Sequence, residues 1–277
     1  MKKILPYALA LFIFSGCVNN TQNIKPLSSK SIDLLDKYGI SENALMKIKG
    51  GYVFVIPDPN GSAVYKLDQN YRYVWKKVTP VLLDPVKSEV KNDKLYILGY
   101  DQKKNKVALL KYDSDGKLLG IKYYGKQYDL AKDFQIINGK TYIAVTQYTK
   151  NNNSDIVIYS DNKTLNVSTP NMDEVNFILP YQKGLLIIGT TQTPSEDILI
   201  VYKTFDNKTV WAKTIDMGMD ERPLEAKTEK GVLVLKVLST DHMGAETEAT
   251  FKIDTKGNVI GVEKGIEFKP LPIKLRT

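Results

Sequence analysis

Carboxylates recur along this 277-residue chain in two sets, and they are the side chains best placed to do chemistry. Asp84, Asp133, Asp173 with Glu174, and Asp220 with Glu221 form the first set, each falling close to the start of a strand-like run. The second set, Asp58, Asp101, Asp155, Glu196 with Asp197, and Asp241, falls in polar loops. Gathered at one place, such acids would bind a cation or a polyamine. They could equally form a glycoside-cleaving pair in which one carboxyl stays protonated while the other is ionised. Acids at such positions also accept backbone N–H bonds and hold turns, and that structural role is the main expectation.

Other chemistries have little to build on. One Cys and one His leave no intramolecular disulfide and no Cys/His zinc site. Asp113-Ser114-Asp115-Gly116 opens like a calcium loop, but Leu118 stands where the loop needs Gly and Tyr124 where it needs a bidentate Glu. The segment therefore reads as a hairpin turn. His242 has no Ser or Cys nucleophile motif to serve, and no P-loop, nucleophile elbow or dinucleotide fingerprint occurs. No cofactor or metal is expected. The tyrosines fall mostly at strand positions and read as sheet packing before sugar stacking.

The formal charge of +8, from 39 basic and 31 acidic residues, rests almost wholly on Lys, since only Arg72, Arg222 and Arg276 are arginines. Lys-rich surfaces favour solubility and loose attraction to anionic polymers over bidentate phosphate reading. Without a basic stripe interleaved with aromatics, nucleic-acid binding is not expected.

The first 17 residues, MKKILPYALALFIFSGC, place Lys2 and Lys3 before an apolar run at 4–14 and small Ser15 and Gly16 before the single Cys. This is the order of an export signal, and the run is short for a membrane span. Phe14-Ser15-Gly16-Cys17 resembles the lipobox of bacterial lipoproteins. The resemblance implies a signal peptide over 1–16, cleavage before Cys17 by signal peptidase II, and lipid attachment at the Cys17 thiol. It also implies a place in the bacterial envelope, at the outer membrane if the organism has two, because Val18 is not the aspartate that signals inner-membrane retention. Residues 17–43 read as a polar tether followed by a short helix opened by Ser31 and closed by Gly39.

Residues 44–277 must position the acids, and they repeat. Apolar runs begin at Tyr52, Leu95, Thr141, Leu185 and Val232, at spacings of 43, 46, 44 and 47. Each follows a Gly- or Asn-containing turn signal or Lys183-Gly184, is followed by a second apolar run and an Asp-rich turn, and then by a more polar run. A weaker strand precedes each. Trp75 and Trp211 share one position in the unit, near which Gly120, Val167 and Gly261 stand in the other copies.

A four-strand unit of about 45 residues with an apolar middle cannot bury both faces alone, and stacking copies around an axis supplies the missing walls. The fourth copy, residues 184–215, most clearly resembles the bacterial repeat-type β-propeller pattern. The expected fold is all-β, a propeller of about five blades. The alternatives are a sixth blade assembled from residues 24–39 and 266–275, or residues 273–275 closing the ring on blade one; a sandwich or flat array is the alternative fold. In propellers the connections between blades and the loops inside them meet at one mouth, which makes Asp84, Asp133, Asp173, Glu174, Asp220 and Glu221 a candidate binding rim. The expected role is a non-enzymatic binding or scaffold module for an envelope protein or polysaccharide, with glycan hydrolysis as the alternative.

Overall fold

The computed structural model describes residues 37–41, 44–149, 153–161, 163–218, 220–263 and 271–272. Cys17, the signal segment and the tether lie outside the described residues, as do Ser31 and most of the short helix.

Among the described residues five antiparallel sheets follow one another along the chain, each built on four strands in sequence order, and one of them gains a fifth strand from the C-terminal end. Blade one holds β1 (Met46–Ile48), β2 (Gly51–Asp58), β3 (Gly61–Leu67) and β4 (Tyr73–Val78). Blade two holds β5 (Leu83–Lys91), β6 (Lys94–Asp101), β7 (Lys106–Tyr112) and β8 (Leu118–Tyr124). Blade three runs β9 (Leu130–Ile137), β10 (Lys140–Tyr148), β11 (Ser154–Ser160), β12 (Thr164–Val167), and blade four β13 (Asp173–Tyr181), β14 (Gly184–Thr193), β15 (Ser195–Thr204), β16 (Thr209–Ile215). Blade five holds β17 (Asp220–Glu229), β18 (Val232–Thr240), β19 (Glu246–Ile253) and β20 (Val259–Glu263). The fold is a β-propeller.

Local chemistry sets the hairpins. Asn92-Asp93, Asn138-Gly139 and Lys230-Gly231 each take positive φ at both residues, the mirror-image turn whose twist matches a two-residue hairpin. The turn between third and fourth strands uses an Asp. The Oδ1 atoms of Asp68, Asp113 and Asp254 each accept the N–H groups two and four residues on, at 2.8–3.0 Å. Asp113 is thus a hairpin acid, as its failed calcium pattern predicts.

Burial follows from stacking. In blade one the third strand has a wall on each face, blade two on one side and the segment around Ile40 and Leu45 on the other, so every residue of β3 is buried while β4, at the outer edge, is almost wholly exposed. Separate cores fill the four clefts between consecutive blades. A fifth cluster around Phe54 and Tyr65 covers the other face of blade one and includes Ile40 and Leu45. The Tyr65 hydroxyl donates to that of Tyr38 (2.9 Å), so the segment before the repeats docks on this face.

The described C-terminal strand, β21 (Leu271–Pro272), pairs with the outer edge of β16 in blade four, with Thr214 opposite Leu271. An outer strand leaves N–H and C=O groups for an added strand, and Pro is tolerated at such an edge. Residues 273–275 lie outside the described residues. In blade three, Val167 faces Ile156, away from the level of the tryptophans, because that blade's last hairpin closes early and β12 has only four residues.

Candidate functional site

In blades one, three and four the loop between the second and third strands is tied to the connection leaving the blade. Ser62 N–H donates to Thr79 Oγ1 (2.9 Å) and its hydroxyl to the Leu83 carbonyl (3.0 Å). The Ser154 hydroxyl donates to the Asp173 carbonyl (3.0 Å), and the Glu196 N–H to Asp220 Oδ1 (3.1 Å). The two sets of acids therefore share one end of the sheets.

Three of the six rim acids are internal. Asp133 is ion-paired with Lys87 of blade two and accepts the N–H groups of Phe134 and of Ile178 in blade four, both at 2.8 Å. One carboxylate thereby joins three blades. Burial pushes its pKa up, while the Lys87 ammonium and the two N–H groups pull it back. Asp173 accepts from the Thr169 N–H (2.5 Å) and hydroxyl (2.7 Å), closing the connection between blades three and four. Burial pushes this carboxyl up against those bonds. Glu221 is buried and accepts from the Ser239 hydroxyl (3.1 Å). Asp84 and Asp220 are exposed, and Glu174 pairs with Lys132 at 3.5 Å.

The loop acids divide similarly. Asp101 is buried and accepts from the Tyr123 hydroxyl (2.8 Å) and from two N–H groups of its own turn. Asp155 accepts from Ser168 (2.5 Å), Asp58 pairs with Lys76 (2.9 Å), and Asp241 accepts two N–H groups of its turn. The hydrogen bonds of these acids are largely structural. Sequence reading passed over Asp129, which is buried and accepts the Lys126 N–H (2.8 Å) and the Tyr159 hydroxyl (3.1 Å). Burial and the neighbouring Asp129 carboxylate push the Tyr159 hydroxyl up to about 12. A signal existed, since 173 − 129 = 44 is one repeat.

Between blades four and five, oxygens of Asp197, Asp216 and Glu221 all lie within 4.8 Å of one another. Asp216, just past β16, was not singled out from sequence. Three carboxylate oxygens this close would suit a hard cation with oxygen ligands. Among the described residues this is the set with metal-ligating donors and spacing. Asp197 and Glu221 are buried and already accept hydroxyl bonds from Ser195 (3.1 Å) and Ser239 (3.1 Å).

The turn acids contribute to the acid response. Backbone N–H bonds hold the carboxyls of Asp58, Asp241 and Asp254 below the usual range, and the Thr204 hydroxyl does the same for Asp206. A lowered folded pKa gives stability that is complete above the unfolded value of about 3.9 and is lost as pH falls through the folded one. Tm should therefore decline below about pH 4, and Asp254→Asn should shrink that decline. A thermal scan series from pH 6 to pH 2.5 with a level Tm would contradict this.

No family model and no curated protein matches the chain. Among solved structures, it is similar to Drosophila Plexin A in complex with Semaphorin 1b, at 8% identity and TM-score 0.48, over 76% of this chain and 51% of that one. It is also similar to the β-propeller domain of the Trilobed protease from Pyrococcus furiosus, at 13% identity and TM-score 0.45, over 76% of this chain and 66% of that one. The chain thus spans about half of the plexin chain and just under two thirds of the protease propeller.

Proposed function

We propose that this propeller is a non-enzymatic binding or scaffold module, held at the bacterial envelope by a lipid on Cys17, with an envelope protein or polysaccharide as its partner. The observation that carries this reading is the use made of the acids at the strand entrances. Asp133 and Asp173 are buried in hydrogen bonds that join or close blades, and buried Glu221 is bonded to Ser239 on the next strand of its own blade, which leaves them structural work in place of substrate contact. Among the described residues no helix is long and apolar enough to cross a membrane, and the anchor in this reading is the acylated cysteine.

The Asp197, Asp216 and Glu221 cluster favours the second reading, glycan hydrolysis, because a retaining pair needs carboxyls roughly 5 Å apart. Two of its three members are buried, and that weighs against access by a polymer.

The experiment is fractionation and affinity purification of the wild-type chain beside Cys17→Ser. Wild type should partition with membranes and bring an envelope partner with it, while the variant should remain unprocessed or soluble. A Cys17→Ser chain that is processed and membrane-bound like wild type removes the anchor. Release of sugars from envelope glycans, abolished by Glu221→Gln with the fold intact, replaces the binding role by the hydrolase.

A further inference from the structure

Each of three clefts between blades is plugged, at the end where the third strand turns into the fourth, by an aromatic side chain. Between blades one and two it is Trp75 on β4, whose ring lies against the Asp113 turn. A Cβ on Gly116 of that turn would come within 2.7 Å of the indole. Between blades four and five Trp211 on β16 repeats the arrangement, with Nε1 donating to the Thr255 carbonyl (3.0 Å) and a Cβ on Gly257 only 2.8 Å from the ring. Between blades three and four the plug comes from the opposite wall: Phe205, in the turn after β15, meets Tyr142 at 5.2 Å between ring centroids.

Among the described residues the cleft between blades two and three receives no such plug from either wall. Gly120 stands at the tryptophan position, opposite Lys111 on β7 as Trp75 stands opposite Lys66 on β3. On the facing blade Asp161 follows the turn-opening Ser160, where Phe205 follows Thr204. A cavity of about 370 Å³ opens here, lined by Gly120, Tyr96, Lys94, Lys111, Lys122 and Asp161 among others. That is the lower end of small-molecule site volumes. Its charge is one-sided. Lys122 is ion-paired with Asp161, whereas Lys94 and Lys111 take part in none of the ion pairs among the described residues. The Lys111 ammonium lies 5.4 Å from the Tyr96 ring centroid, which keeps it beside an aromatic wall.

We propose that this vacant slot is a binding site for a small anion built on a flat ring, the ring taking the place an indole fills in the sister clefts and its carboxylate or phosphate facing Lys94 and Lys111. The backbone frame is the one that holds Trp75 and Trp211. The difference is that the ring is supplied from outside. The site is separate from the acidic end of the sheets and does not depend on the lipid anchor, so its failure would leave the Cys17 test untouched.

Indole-3-acetate, neutral indole and tryptamine are suitable probes, titrated into the full-length chain by ligand-observed NMR. Indole-3-acetate should bind at about millimolar strength and tryptamine at least about tenfold more weakly. No heavy atom lies within 4 Å of a Cβ built on Gly120, so Gly120→Trp should refill the slot as in the sister blades. It should keep or raise Tm and weaken indole-3-acetate at least about tenfold. If that variant does not fold, Lys94→Gln with Lys111→Gln serves instead, weakening indole-3-acetate about tenfold and neutral indole less than about twofold. Equal binding of indole-3-acetate by wild type and folded Gly120→Trp would overturn the site. Equal affinity for the anion and tryptamine would overturn its charge selectivity. Binding of an acidic Trp-containing peptide without binding of indole-3-acetate would give the slot to a protein partner and overturn the small-molecule assignment.

Discussion

Asp133→Ala is expected to destabilise the propeller by about 3–5 kcal/mol, the cost of leaving one member of a buried ion pair without its partner. The Asp133 side chain is 3% exposed and that of Lys87 29%, so solvent screens the pair weakly. The substitution strands the Lys87 ammonium beside Phe134, and it also removes the acceptor that the Ile178 N–H reaches from blade four. Urea unfolding measures the loss directly. Adding Lys87→Met to Asp133→Ala should recover part of it by removing the stranded charge. About 1–3 kcal/mol should persist, because the Ile178 N–H still lacks an acceptor. A loss below about 1 kcal/mol for Asp133→Ala alone would show that the carboxylate is not a joint between blades.

Trp211→Ala should cost about 3 kcal/mol, within the range for removing a large aromatic from a packed contact. The indole meets Tyr202 edge-on at 6.2 Å between centroids, lies on Gly257 and donates to Thr255, so it fastens blade four to the last hairpin of blade five. Gly257 has φ +79, and a Cβ there would enter the ring, so Gly257→Ala should destabilise through both the backbone and the clash. Trp211→Phe should retain most of the stability because the ring remains and the exposed Thr255 carbonyl can take a water. Thermal unfolding followed by tryptophan fluorescence is unsuitable for these variants; far-UV circular dichroism reads all of them. Equal Tm for wild type and Trp211→Ala would mean that the tryptophan position carries no load between blades.

Much of the architecture is legible in the residues themselves. The apolar middle strands, the Asn and Gly hairpins and the Asp turns each encode a local rule, so a period near 45 could be read without coordinates. The alignment of Trp75 with Trp211 holds in the register, where each faces the third strand of its blade. Val167 broke the pattern because an early hairpin closure shifts which residues are opposite, and spacing does not record register.

The chemistry of the acids was not legible in the same way. Asp84 and Asp133 look alike in sequence, yet one is exposed and the other is 2% exposed and tied to two neighbouring blades. Asp129 and Asp216 took their roles from Tyr159, Gln147, Asp197 and Glu221, partners from other strands.

The chain's own residues determined the repeated unit, its turns and the need for a wall on either side, since backbone propensity and alternation act within a few residues. What the tertiary structure decided was burial, charge pairing and the open cleft beside Gly120. Each of these depends on which side chain the next blade brings across, and that is set by packing between units about one repeat apart.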